Sequence, residues 1–281
     1  MRFKLIAMDV DGTLLTRERK IGPRTKEALH KAADQGMKIV LCTGRRYRST
    51  LPIIDLLGVR PMVVVNGGAL VRHSETGKAI YRNGLPFALA DAVLSFLANY
   101  DVSPLLFVDA FPNGPDFVIE EDRKGNEEFL RYIQGGAGHY LVSKGFASAP
   151  RHKLLEIAVF GPMGSLRSLL HRLRQEFGHD ITTHVLQFDR YRHKSDCLEI
   201  FKRGTSKWSA LSHVAQQFGI TDKEIIAVGD DINDLEMIQK AGFGVAMGNA
   251  REDLKDAADL VTGTCNEEGI ADILEQLFDD E

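Results

Sequence analysis

Short apolar runs that stop abruptly at a polar residue or a glycine recur along this chain. Leu5-Ile6-Ala7-Met8 gives way to Asp9-Val10-Asp11-Gly12-Thr13, Met37 to Cys42 ends in Thr43-Gly44-Arg45, and Pro61 to Val65 ends in Asn66-Gly67-Gly68. Near-continuous hydrophobicity marks a strand buried on both faces, as in a parallel sheet. Between these runs the apolar period changes to that of a helix. Pro23 to Gln35 places Ala28, Leu29, Ala32 and Ala33 on one side, with Pro23 suited to a first turn and Gly36 to a stop. A second helix is predicted over 48–57, closed by Gly58. Strand, helix, strand, helix, strand predicts a parallel sheet with right-handed crossovers.

The pattern then changes. From Ala69 to Gly84 it predicts short strands joined by a turn at 75–78, followed by a helix over 87–100. Short strands and Pro- and Gly-containing turns fill the stretch to about Tyr140. A strand is predicted over 153–160 and a helix over 165–177, with Leu166, Leu169, Leu170 and Leu173 as its core stripe. Residues 85–192 therefore form an inserted α+β module within a core made of 1–84 and 193–281. Alternation resumes with a helix over 206–218, a strand over 225–228 ending at Gly229-Asp230-Asp231, and a helix over 232–240. A strand over 243–246 ends at Met247-Gly248-Asn249-Ala250. A short strand at 259–261 and a helix over 267–278 close the chain.

Composition narrows the class. The 281 residues are 44% hydrophobic and 26% charged, enough to bury a substantial core. Net charge is −4, with no long basic run, so neither a nucleic-acid surface nor a membrane-binding stretch is expected. Cys42, Cys197 and Cys265 lie far apart and form no metal-ligand spacing. Sparse cysteines and the lack of a signal-like apolar segment lead to the expectation of a cytoplasmic protein.

The chemistry gathers at the strand ends. Parallel strands put Asp9, Thr43, Asn66, Asp230 and Gly248-Asn249 on one edge of the sheet, where open α/β sheets bind ligands. Asp9, Asp11, Asp230, Asp231 and Asp234 would crowd that edge. Two carboxylates ~5 Å apart repel by roughly 3 kcal/mol at an effective dielectric near 20. A hard divalent cation with oxygen ligands resolves such crowding, which points to Mg²⁺ with Asp9 and Asp230 as ligands. Thr13, Thr43 and Lys207 offer donors to an anion, and backbone amides around Gly12 and Gly44 can add a small nest. The GxxxxGK spacing of a Walker loop is absent.

Asp9-Val10-Asp11-Gly12-Thr13, then Thr43-Gly44-Arg45, then Lys207, then Gly229 to Asp234 resemble, in order, the four motifs of the haloacid dehalogenase superfamily. Val65 to Ala69 and Gly244 to Ala250 resemble its Cof-type branch, which carries a large α/β cap (type IIB). The position of the insert agrees: Leu14 to Gly22 is too short for a cap, and the long insert lies between the Thr43 and Lys207 motifs. Trp208, after the lysine, is bulkier than that family's pattern.

The resemblance implies a Rossmann-like core with an inserted α+β cap and a Mg²⁺-dependent phosphomonoesterase. In it Asp9 is the nucleophile that forms an aspartyl-phosphate, and Asp11 is general acid and then base. Thr43 and Lys207 hold the phosphoryl oxygens. Thr13, Gly44, Arg45 and Asn233 contact phosphate or substrate. Asp9, the Asp11 carbonyl and Asp230 hold the metal, and Asp234 a water bound to it. A phosphomutase using the same nucleophile and a catalytically idle metabolite-binding regulator are the alternatives. The expected partner is a small phosphorylated metabolite, a sugar phosphate or phosphorylated cofactor, and the expected assembly a monomer or homodimer. His179, His184 and His193 carry no motif.

Overall fold

The structure, a computed structural model, describes residues 2–121, 139–146, 153–188 and 195–279. The chain divides into two compact units, residues 1–82 with 206–281, and residues 83–205.

The first unit opens with β1 (Leu5–Met8), wholly buried, and α1 (Pro23–Asp34), which begins on Pro23, where the missing N–H is no loss. β2 (Lys38–Cys42), α2 (Tyr47–Leu57) and β3 (Met62–Val65) follow. β4 (Leu70–His73) and β5 (Ala79–Arg82) then extend the sheet antiparallel. The predicted turn at 75–78 lies between them.

The inserted unit contains α3 (Phe87–Leu97), β6 (Pro104–Val108), β7 (Phe117–Glu120), β8 (Tyr140–Ser143), β9 (Leu154–Gly161), α4 (Met163–Phe177), β10 (Ile181–Phe188) and β11 (Ser195–Lys202). Its sheet runs β10-β11-β9-β6-β7-β8. One face carries Leu106, Val118, Ile157, Val159, Leu198 and Ile200, which pack with Val93 and Leu97 of α3 and with Leu166, Leu169 and Leu173 of α4. The leucine stripe of α4 is thus core. The expected boundary at 192/193 falls outside the described residues. The inserted unit extends past it to Thr205, because β11 pairs antiparallel with both β9 and β10.

The chain returns to the first unit with α5 (Lys207–Gln217), β12 (Ile225–Gly229), α6 (Leu235–Lys240), β13 (Phe243–Ala246), α7 (Glu252–Lys255), β14 (Leu260–Val261) and α8 (Gly269–Asp279). The sheet order is β14-β13-β12-β1-β2-β3-β4-β5, with β14 to β3 all parallel. This is the parallel α/β core with an inserted α+β unit that the alternation predicts, and the Rossmann-like core that the resemblance implies. The helix expected over 232–240 differs at its start. Ile232–Asp234 is a 3₁₀ turn, and the α-helix begins at Leu235. The cause is Asp234, whose Oδ2 turns back to accept from the Asp230 and Asp231 amides, 3.1 Å each, and tightens the turn. Among the described residues no helix is long and apolar enough to cross a membrane.

Candidate active site

β1 and β2 run side by side with Met8 opposite Leu41, so Asp9 and Thr43 leave the sheet as neighbours. On the other side of β1, Met8 pairs with Val228, which brings Asp230 to the same edge. Asp9 is buried, and its amide donates to the Val228 carbonyl at 3.0 Å. Residues far apart in sequence therefore meet because parallel register leaves them no alternative.

Gly12 lets the two acidic loops approach. Its φ is +89°, and a Cβ there would lie 2.4 Å from Asp230 Oδ2. The next residue, Thr13, donates its hydroxyl to Asp230 Oδ1 at 2.8 Å. Thr13 was expected on phosphate; in this state its hydroxyl serves Asp230 instead.

Lys207 enters from the start of α5. Ser206 caps the helix through a reciprocal pair with Ser209: its side chain accepts from the Ser209 amide, and Ser209 Oγ accepts from the Ser206 amide, both 3.0 Å. Gly68 gives this helix start its room, since a Cβ there would sit 2.0 Å from the Ser206 carbonyl oxygen. A cation at the first helical position opposes the helix dipole. What holds Lys207 is a pair of carboxylates: Nζ lies 2.6 Å from Asp9 Oδ1 and 2.6 Å from Asp234 Oδ1. All three side chains are nearly sealed from solvent. Trp208 beside it is buried as well.

Asp234 is the most constrained of the acids. One oxygen takes Lys207 and the other takes two backbone amides. It thus anchors both the lysine and the Asp230 loop, a larger role than contact with a metal-bound water. Asn233 is half-buried in the same turn, and among the described residues no hydrogen bond joins it to Lys207.

Asp11 points elsewhere. Its carboxylate is half-exposed and receives the Arg45 guanidinium in a two-pronged pair, Nε to Oδ2 at 2.6 Å and Nη2 to Oδ1. Arg45 was expected to contact substrate; here it grips the proposed acid/base. The Arg45 amide donates to Thr43 Oγ1 at 3.1 Å, closing a tight turn around Gly44.

The cluster is short of positive charge. Burial pushes the Asp9 carboxyl well above its ordinary value, and Asp234, Asp230 and Asp11 add to this while Lys207 opposes it. Asp230 is pushed up to about 7, first by burial and then by Asp234, against the pull of the Thr13 hydroxyl and Lys207. Burial pulls the Lys207 ammonium down, but Asp234 and Asp9 more than offset it and hold it above its ordinary value. One ligand oxygen each from Asp9, Asp230 and Asp234 lie within 4.8 Å of one another. An all-oxygen set with surplus negative charge fits a hard divalent cation such as Mg²⁺.

Comparison with known proteins gives the family. The model of the haloacid dehalogenase-like hydrolases matches residues 6–274. The chain belongs to that family. An HMP-PP phosphatase of Serratia proteamaculans is 30% identical over 277 residues, covering 97% of this chain and 94% of the relative. Phosphatase YwpJ of Bacillus subtilis is 31% identical over 297 residues, covering 98% and 100%. Among solved structures, a haloacid dehalogenase-like hydrolase from Bacteroides thetaiotaomicron aligns with a TM-score of 0.79 at 27% identity, covering 98% of this chain and 99% of that one. A subclass IIB sugar phosphatase of the family shares the fold, with a TM-score of 0.76 at 24% identity and 98% of each chain covered. The family is the one that the four motifs resemble, and membership makes this chain a hydrolase-type enzyme.

Sequence reasoning missed two features of this candidate site. The Arg45–Asp11 pair was invisible because residue type does not fix where an exposed carboxylate turns. Asn249 was noted as part of a strand-ending turn and of the Gly244 to Ala250 resemblance, with no role for its side chain, which donates to the Gly12 carbonyl. An amide side chain just past a strand that ends on the ligand edge was the available signal.

Proposed function

We propose that this chain is a phosphomonoesterase that hydrolyses a small phosphorylated metabolite through an aspartyl-phosphate on Asp9. The observation that carries the reading is the buried Asp9 carboxylate, ion-paired to Lys207 at 2.6 Å beside Asp230 and Asp234. The names of the Serratia and Bacillus relatives support it.

Lys207 holds Asp9 Oδ1, which leaves Oδ2 as the attacking atom. Oδ2 bonds to phosphorus, the ester P–O bond breaks, and the leaving alkoxide takes a proton from the Asp11 carboxyl. Water then attacks phosphorus, gives a proton to the Asp11 carboxylate, and phosphate departs with the Asp9 carboxylate restored. Thr43 and the Lys207 ammonium stabilise the phosphoryl oxygens, where most of the transition-state charge develops. Asp9, Asp230 and the Asp11 carbonyl would hold Mg²⁺, which supplies positive charge against those oxygens. Arg45 engages both oxygens of Asp11, so that pair must open before Asp11 can reach a leaving oxygen.

The test is hydrolysis of a panel of phosphorylated metabolites and a chromogenic phosphomonoester, with Mg²⁺ and with excess chelator. Phosphate release with Mg²⁺ and its loss on chelation are expected. Hydrolysis that persists in chelator contradicts the metal assignment, and transfer to an added sugar in place of water reassigns the enzyme as a phosphotransferase.

The charge deficit has its own signature. Asp230 rises from its ordinary value of 3.8 to about 7 on folding. Its contribution to stability is therefore complete below its unfolded value and is lost as pH rises through about 7. A cation that takes this carboxylate competes with the proton. The gain in melting temperature on adding Mg²⁺ is expected to be larger at about pH 8 than at about pH 5.5. Equal gains at both would contradict the assignment of Asp230 as a ligand.

A further inference from the structure

The turn after β13 touches both acidic loops. Asn249 donates Nδ2 to the Gly12 carbonyl at 2.8 Å and accepts on Oδ1 from the Cys265 amide at 2.9 Å. Two residues on, the Arg251 amide donates to the Asp230 carbonyl at 3.1 Å. The turn's own backbone is pinned by the Met247 amide to the Gly229 carbonyl and by the Gly248 amide to the Gly263 carbonyl, both 3.0 Å. An amide held at both ends on a fixed backbone sets the position of whatever it binds.

What it binds is the carbonyl of Gly12, the one glycine of the Asp9–Thr13 segment. Glycine accepts φ of either sign, so its own backbone does little to fix the Gly12–Thr13 peptide. In a planar trans peptide the carbonyl and the following N–H point to opposite sides. Drawing the Gly12 carbonyl to Asn249 therefore commits the Thr13 N–H to the other side. It also fixes the approach to Asp230, since Thr13 Oγ1 holds Asp230 Oδ1 at 2.8 Å and Gly12 leaves no space for a Cβ.

We infer that Asn249 is a positioning residue for phosphoryl transfer: it orients the Gly12–Thr13 peptide and sets the spacing between the Asp9–Thr13 loop and Asp230. This rests on the phosphatase reading above. Misplacement by about 1 Å at such a site costs about 10²-fold in rate.

Three variants separate positioning from bracing. Asn249→Asp keeps the shape and the acceptor for Cys265, but sets an oxygen against the Gly12 carbonyl. Asn249→Ala removes both bonds. Asn266→Ala removes a neighbouring tie, from the Arg17 amide to Asn266 Oδ1 at 3.0 Å, and is not bonded to Gly12. The readouts are kcat and KM on a chromogenic phosphomonoester, inhibition by orthovanadate, and melting temperature. Both Asn249 variants are expected to lose about 10²-fold in kcat with KM changed by less than about threefold. Vanadate inhibition should weaken in parallel, with little change in melting temperature, and Asn266→Ala should keep the wild-type kcat. Wild-type kcat and vanadate inhibition in both Asn249 variants would overturn the inference. So would losses that follow the melting temperature and are shared by Asn266→Ala, which mark a structural brace. A wild-type protein that neither hydrolyses the ester nor is bound by vanadate would overturn the phosphatase reading, and this inference with it.

Discussion

Replacing Asp9 by Asn is expected to lower kcat by roughly three orders of magnitude or more while leaving the melting temperature unchanged or raised. The amide keeps the shape and an oxygen that can accept from Lys207, whose ion pair with Asp234 remains. It removes the proposed nucleophilic carboxylate, and among the described residues the neighbouring acids are engaged elsewhere: Asp234 through both oxygens, Asp11 with Arg45 and Asp230 with Thr13. Stability should not suffer, because burial and the neighbouring acids oppose the Asp9 charge in the folded protein. Removing one of three crowded carboxylates relieves that cost. A folded variant that retains appreciable turnover would show that the chemistry starts elsewhere. Steady-state kinetics beside thermal unfolding in Mg²⁺ and in chelator measure both halves of the expectation.

Lys207→Met is expected to fail in both respects. It removes the ammonium that sits between Asp9 and Asp234 and leaves two buried carboxylates facing each other. Breaking a buried pair on one side costs about 3–5 kcal/mol, measurable by denaturant unfolding in chelator. The loss cannot be charged to the helix, because methionine has about the same helix propensity and lysine at this end opposes the dipole. Turnover should fall to background, since the phosphoryl oxygens lose their fixed cation. The pairing itself is testable by a double variant. Asp234→Asn added to Lys207→Met removes one orphaned charge and keeps an oxygen for the Asp230 and Asp231 amides. Part of the lost stability should return. Strictly additive losses would mean that the two side chains are not coupled.

The sheet and its ligand edge were legible because they depend on one-dimensional signals. Leu5 to Met8, Ile39 to Cys42 and Ile225 to Gly229 are apolar without alternation, which suits a parallel sheet buried on both faces. Once parallel, their ends had to converge. Elements decided by side-chain direction were not legible. The 3₁₀ turn at Ile232–Asp234 depends on Asp234 reaching back to two amides, and apolar spacing does not record this. The end of the inserted unit was placed too early because Ser195 to Lys202 has the composition of a strand whichever sheet it joins; its pairing with β9 decides the matter. Thr13 and Arg45 were expected on phosphate or substrate, and the acids that they hold in this structure were not foreseen. A hydroxyl or guanidinium near several acids can choose among them, and here Thr13 serves Asp230 and Arg45 serves Asp11.

The most direct measurement is chemical trapping of the phosphoryl group during turnover. Enzyme quenched in acid while hydrolysing substrate with Mg²⁺ is reduced with borohydride, which converts an acyl-phosphate on aspartate to homoserine, and the peptides are read by mass spectrometry. Homoserine at position 9, dependent on substrate and absent without it, is the predicted result. Active enzyme that yields no homoserine, or yields it at position 11, 230 or 234, would contradict Asp9 as the acceptor of the phosphoryl group.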